Sequence, residues 1–469
     1  MTIADAKSLF RFCWLSWSQI TPPCLVEKNN KRIMNSWAIY DMANSVYSLC
    51  IATAIFPPYY DALTSIRDKD TDKVLFDTVS FMGWELKNSV LYEYGLSAAF
   101  LIIAFLAPLL SGIADYTGNK KSFMKFFVYV GALSCAGLFF FDNPMYAEQL
   151  ALNPNFVPEV SFPIICFMLA TIGFSGSFVF YNSYLPEICT PDRYEKLSAK
   201  GFAMGYAGSV VLLIINLIMI QMPDLFGIPD KGTASRIAFL TVGVWWAGIA
   251  QITFYNLPST SHNRRITKEV LFNGFKELAR VFKSLKEETK LRGFLIAFFF
   301  LSMGLQTVMF VASLFGKKEL NLETSKLIIT VLLIQLIAIP GSYLFAYLAN
   351  KRGNINSLFL STFVWIAVCL GAFYTTREQE FYVLAAVVGL VMGGVQSLSR
   401  ATFTRLLSRD YDNASYYSFY DATEKIAIVL GTLAYGLIDH WWSMRYSVLA
   451  LAVFFVIAAI FLFRVRKVR

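Results

Sequence analysis

The chain has 469 residues, of which 56% are apolar and only 16% charged, and it carries a formal net charge of +9. Ordinary soluble domains carry about 25% charged residues. The apolar residues here fall into blocks of about 20, the length that crosses a ~30 Å hydrocarbon core at 1.5 Å rise per residue. The two-residue alternation of a membrane β-barrel is missing, so the chain reads as a polytopic all-α membrane protein.

In chain order, residues 1–33 come first. FRFCWLSWSQI (10–20) has a short apolar core and no small-residue cleavage site, so it is no clean signal peptide. The expectation is a disordered tail or a start-site extension; a segment lying in the membrane interface is the alternative. Twelve spans follow, at 34–60, 91–113, 122–141, 161–185, 199–221, 236–257, 292–314, 325–348, 357–375, 380–407, 417–439 and 445–464. They group into an N-terminal six-helix bundle (34–257), a linker (258–291), a C-terminal six-helix bundle (292–464) and a basic tail (465–469). Within the linker, Leu271, Phe275, Leu278, Phe282 and Leu285 mark one apolar helical face, with Lys and Arg opposite. Such a helix is expected to lie flat on the inner membrane surface.

Several spans hold polar residues that hydrocarbon penalises. On the first, Asp41, Asn44, Ser45 and Ser48 are spaced i, i+3, i+4, i+7 and share one stripe. That stripe faces either a neighbouring helix, as a hydrogen-bond clamp, or a water-filled cavity. Asp41 lies about 12 Å from the inner end of its span. The fourth span carries Tyr181, Asn182 and Ser183, the seventh Gln306, the eighth Gln335, and the tenth Gln396, Ser399 and Arg400. The forked guanidinium of Arg400 suits a carboxylate or phosphate; snorkelling to the interface is the other reading. On the eleventh span, Asp421 and Lys425 are an i, i+4 pair beside Glu424.

Placing both termini inside puts 29 of the 41 Lys and Arg in inner segments, as the positive-inside rule requires. Both termini are therefore expected to be cytoplasmic, in the inner or plasma membrane for a bacterial protein. The positive charge is topogenic and attracts anionic lipid headgroups; it does not indicate a nucleic acid. Seven scattered cysteines and two histidines, His262 and His440, show no metal-ligand spacing, and neither metal, cofactor nor disulfide is expected. No Walker loop, metalloprotease helix or nucleophile elbow is present, so no enzymatic activity is expected; GFSGS (173–177) reads as close helix packing.

The chain repeats once. Ala114–Gly118 after the second span and Ala349–Gly353 after the eighth are both tight basic turns, offset by half the chain. The first, SGIADYTGNKK, resembles the major facilitator superfamily signature between helices two and three. Ser111, Tyr116 and Asn119 depart from its usual glycine, arginine and second basic residue. Together with YDMANSVY (40–47), FYNSYLPEI (180–188), GGVQSLSRATF (393–403) and FYDATEK (419–425), it is similar to the vacuole effluxer family of that superfamily, whose fungal members are autophagy-related amino-acid exporters.

The resemblance implies a major facilitator fold of two six-helix bundles and a cavity lined by helices one, four, seven and ten. It implies a monomeric secondary transporter of a small polar solute, with amino acids as the leading class, working by alternating access. Asp41, Asn44, Ser45, Tyr181, Asn182, Gln306, Gln396 and Arg400 then become candidates for binding substrate or a coupling proton. Asp115, Lys120, Lys121, Asp421, Glu424 and Lys425 become candidates for an inner gate where helices two and eleven meet. The competing function is a non-transporting receptor or assembly factor on the same scaffold, which would have no use for a polar cavity.

Overall fold

The computed structural model describes residues 27–68, 74–142, 149, 153, 156–259, 268–407 and 413–467. The expected N-terminal tail lies almost wholly outside them, as do the start of the linker, Arg409 and Arg469.

Among the described residues, twelve long helices carry the chain back and forth. They are α1 (Lys31–Thr64), α2 (Asn88–Thr117), α3 (Lys120–Phe140), α4 (Ser161–Ser183), α5 (Tyr194–Gln221), α6 (Lys231–Asn256), α7 (Thr289–Leu320), α8 (Thr324–Arg352), α9 (Asn354–Tyr374), α10 (Glu378–Leu406), α11 (Asn413–Trp441) and α12 (Met444–Lys467). Among the described residues, eleven helices are long and apolar enough to cross a membrane. The twelfth, α11, has similar length but carries Asp421, Glu424 and Lys425 in its first half. An even number of spans puts both ends of the array on one side, called here the terminal face.

α1 begins at Lys31 rather than 34 because Asn30 caps it, its Oδ1 accepting from Arg32 N and Ile33 N at 3.0 and 3.4 Å. Inside α1 the chain turns π-helical from Tyr47 to Ile55, and the Thr53 hydroxyl donates to Ser48 O. The widened turn rotates the end of the polar stripe relative to a regular helix. At the other end of the chain, α12 runs to Lys467 and absorbs most of the expected basic tail.

α1 packs on α5 and α6, α3 on α4 and α6; in the second half α8 packs on α10, and α12 on α7 and α9. The two groups of six meet along two seams, α2 against α11 and α5 against α8. The linker forms a helix, Lys268–Glu287. Its last turns bury Val281 and Leu285, leave Phe282 exposed, and lie against α2 and α11, where Tyr416 Oη donates to Ser284 Oγ at 2.9 Å. On the opposite face, a feature absent from the sequence reading joins α1 to α2. Two small antiparallel sheets pair Ile66–Arg67 with Val74–Phe76 and Thr78–Phe81 with Trp84–Lys87, the second turning at Met82 and Gly83, both with positive φ.

Candidate functional site

The polar stripe of α1 divides in the structure. Ser45 and Ser48 line a central cavity of about 230 Å³ between the halves. Asn44 turns instead towards α4, where its Oδ1 accepts from Ser177 Oγ at 3.4 Å. Asp41 lies below the cavity, 1% exposed. It is not a cavity-wall residue in this conformation, and that corrects the expectation that its carboxylate faces the cavity. The reason is Arg400. Asp41 Oδ2 accepts from Arg400 Nη2 at 3.0 Å and from Tyr181 Oη at 2.9 Å.

Arg400 forms the cavity floor. Its Nε donates to Ser198 Oγ at 2.9 Å, its Nη1 to Asn182 Oδ1 at 3.3 Å, and its Nη2 also to Ser198 O at 3.0 Å. Phe202 and Trp37 cover the guanidinium, with ring centroids 4.2 and 4.8 Å from Cζ. These contacts anchor Arg400 between α1, α4 and α5 and answer the snorkelling alternative: the side chain is 2% exposed and does not reach the interface. A buried cation holds its place only with such a ring of acceptors. α5 can come this close because residue 201 is glycine. A Cβ there would overlap Asp41 Oδ2 and stand 2.9 Å from Arg400 Nη2.

The upper wall is mixed. Gln396 accepts from Tyr206 Oη at 2.5 Å across the halves. Gln306 donates to Glu424 Oε1 at 2.9 Å, and Gln335 also lines the wall. Asp421, Glu424 and Lys425 line the same cavity; Lys425 Nζ is 3.4 Å from Asp421 Oδ1 and 3.3 Å from Glu424 Oε2. They make no bond to Asp115 or Lys120. The triplet starts about two turns deeper than the end of α11 that meets α2, so it is cavity wall, which corrects the gate assignment for these three.

Apart from the Tyr206–Gln396 bond on the cavity wall, the hydrogen bonds that join the halves, among the described residues, fall at the cavity floor and towards the terminal face. Asp115 Oδ2 accepts from Ser415 N and Ser415 Oγ at 2.8 and 2.9 Å, and its Oδ1 from Ala414 N at 3.3 Å, which caps α11. Lys120 Nζ bridges Asp115 Oδ1 at 3.2 Å and Glu187 Oε1 at 2.7 Å. Lys121 takes no part in this closure; it donates to Leu257 O on its own half. At the other seam, Glu195 Oε1 accepts from Arg405 Nη2 at 2.7 Å, Arg405 Nε at 2.9 Å and Asn354 Nδ2 at 2.8 Å. Ser198 Oγ donates to Ser397 O at 2.7 Å. The cavity is therefore sealed on the terminal side. Sequence reasoning missed Glu195, Asn354, Ser198 and Gly201. GFAMGYAG (201–208) carried a usable signal, because glycines at i, i+4 and i+7 let helices approach closely. Glu195 and Asn354 had none beyond their places at helix starts.

Residues 29–469 match the model of the family described as "Vacuole effluxer Atg22 like". The chain is 29% identical over 405 residues to the uncharacterized MFS-type transporter YxiO of Bacillus subtilis, covering 85% of this chain and 86% of that protein. It is 27% identical over 449 residues to autophagy-related protein 22 of Yarrowia lipolytica, covering 80% and 73%. Among solved structures, the human organic anion transporter MFSD10 superposes with a TM-score of 0.67 at 10% identity, over 93% of this chain and 100% of that one. The Escherichia coli fucose:proton symporter FucP superposes with a TM-score of 0.63 at 11% identity, over 93% and 98%. At such identities these likenesses establish the fold alone: twelve helices in two six-helix bundles, the major facilitator fold, in a multi-pass membrane protein.

Proposed function

This chain belongs to the Atg22-like vacuole effluxer family of major facilitator transporters, and we propose that it is a secondary transporter of a small polar organic solute, amino acids being the leading class, which works by alternating access. The observation that carries the proposal is the position of the seal. A cavity whose mixed wall carries both polar and apolar side chains lies between the halves, and the bonds that close it sit on its terminal side, each linking a residue of α1–α6 to one of α7–α12. Relative motion of the halves that opens the terminal side must break those bonds. A receptor scaffold gains nothing from a seam held in this way.

In this scheme Arg400, Asn182, Ser45, Gln306 and Gln396 contact solute from the wall and floor. Asp41 and Tyr181 act beneath them by holding Arg400. Asp115, Lys120 and Glu195 act as latches. With both termini cytoplasmic, the sealed side is the cytoplasmic one, and the present conformation receives solute from the opposite side. Coupling to an ion uses a proton where one is used, and Asp41 is its acceptor, freed when Arg400 leaves; the protein functions as a monomer.

The experiment is counterflow in proteoliposomes loaded with single amino acids. Exchange of at least one labelled amino acid, absent in empty vesicles and in Arg400→Ala, is the expected result. No exchange with any of the twenty, by protein whose unfolding is cooperative, overturns the amino-acid reading.

A further inference from the structure

The cavity holds more negative charge than its floor uses. Four of the five N–H donors of Arg400 are taken by Asp41, Asn182 and Ser198, and its charge is matched by Asp41. The other charged side chains facing the cavity are on α11, where Asp421 and Glu424 share the single ammonium of Lys425. Three carboxylates thus stand against two cations. Asp421 is 3% exposed, yet its Oδ2 has no hydrogen-bond partner among the described residues. Ser209 and Ser399 line the same cavity with buried hydroxyls that are likewise unpartnered. Buried polar atoms in native structures are almost always bonded, so unbonded ones on a cavity wall mark groups left for a ligand, and Asp421 Oδ2 is the charged acceptor among them.

An apolar pocket of about 50 Å³ opens beside this wall, among α7, α8, α9, α10 and α12, and shares Ala312, Thr330, Ile334 and Phe381 with the main cavity. No charged residue lines it. On α7, Gln306, which bonds Glu424, and Ala312 are six residues apart, so the pocket begins about 9 Å along the helix axis from the charged cluster.

We propose that the solute is recognised by a free ammonium group, docked on Asp421 and Glu424, with its hydrocarbon arm lying along the apolar wall that leads to the side pocket. This rests on the transport role proposed above and adds the chemical class: a small apolar organic amine. A carboxylate on the solute is not needed, because both cations of the cavity are already held by acids of the protein.

The test uses the full chain in detergent, with Ser313→Cys on the cavity wall as a reporter for a hydrophilic thiol reagent and the wild type as the background. Isoamylamine, leucine and 4-methylpentanoic acid share one hydrocarbon arm and differ in their charged groups. Isoamylamine and leucine are expected to slow labelling of Ser313→Cys and to raise the melting temperature; 4-methylpentanoic acid is expected to do neither. Asp421→Asn should raise the protecting concentration of isoamylamine about tenfold or more, the loss of one hydrogen bond to a charged partner, and Glu424→Gln is the second variant should Asp421→Asn fold poorly. Protection by 4-methylpentanoic acid equal to that by isoamylamine overturns the proposal. So does protection at an unchanged concentration in both variants, or the absence of protection by any amine while Ser313→Cys labels freely. That last result leaves the transport role standing, whereas a Ser313→Cys that never labels has no water-filled cavity beside it and removes both readings.

Discussion

Asp41 and Arg400 stand 359 residues apart in the chain, and their side chains meet at 3.0 Å across the boundary between the two helical halves. Each is 2% exposed or less. The pair is therefore both a local solution to the cost of buried charge and a tie between the two halves, whose separation the proposed transport cycle requires. Its setting favours the closed state: Tyr181 donates to the same carboxylate oxygen, and Trp37, stacked on Tyr181 at 4.4 Å, covers the guanidinium. When the tie breaks, both charges need water or a ligand, and the opening cavity can supply either.

Replacing Asp41 with Asn should abolish counterflow without loss of expression. Removing one partner of a buried pair costs about 3–5 kcal/mol, because the other charge stays buried and uncompensated. Arg400 would keep Asn182 and Ser198 but lose its counter-charge. The closed terminal side should then be populated less, and a cysteine introduced at Ser397 should label faster from that side in Asp41→Asn than in the parent. Counterflow at the wild-type rate by Asp41→Asn would show that an amide suffices, and that the residue is a helix clamp.

Gly201→Ala is expected to be far more damaging than its single methyl suggests. The new Cβ collides with the carboxylate of Asp41 and crowds Arg400 Nη2 at 2.9 Å, so the pair or α5 must shift. Transport should fall at least tenfold, and the melting temperature should drop. Gly248→Ala is the control: a Cβ there meets nothing within 4 Å. Alanine's better helix propensity, about 1 kcal/mol over glycine, should leave that variant as stable as the parent or slightly more so. Equal melting temperatures for the two variants would contradict the packing argument.

Much of the fold was legible because membrane spans are read from length and apolarity alone, and even α11 kept enough of both to be counted. Asp41 and Arg400 stood out for the same reason, as charges in apolar helices. What the sequence could not convey was their burial against each other, which depends on Gly201 of a third helix and on a contact made only when the halves close. The π-helical turn at Tyr47–Ile55 was equally hidden. It changes which backbone groups pair, without changing residue type. Asp421, Glu424 and Lys425 were read as a gate from the closeness of α11 to α2; their depth along α11 puts them on the cavity wall.

The orientation is testable independently. α12 ends in Arg464, Arg466 and Lys467, and the turn between α2 and α3 carries Lys120 and Lys121, while the sheet-bearing connection lies on the other side. A fluorescent protein fused after Arg469 should fluoresce, and alkaline phosphatase at the same point should be inactive. The reverse pattern would invert the topology and place the sealed side outside.

The two seams of the terminal face hold the same kind of latch. In one, Asp115 at the end of α2 caps the start of α11; in the other, Asn354 just after α8 bonds Glu195 near the start of α5, and Arg405 completes the contact. The sequence repeat relates α2 to α8 and α5 to α11, so the latches are counterparts on opposite sides of one interface. Closure needs both seams, and either alone resists only part of the opening. Asp115→Asn retains an acceptor for the α11 amides but gives up its charge beside Lys120, and Glu195→Gln gives up its charge beside Arg405. Each single variant should lower turnover several-fold while leaving the solute's half-saturating concentration within about twofold, since neither touches the cavity and each biases only the balance of states. The double variant tests whether the latches act on a single motion. Sites this far apart, with no shared partner, ordinarily give additive free energies. A double variant whose terminal-side labelling rate equals the product of the two single effects would mean that both latches are broken in one opening transition. A double effect well below that product would mean that either seam can open, and admit the reagent, without the other.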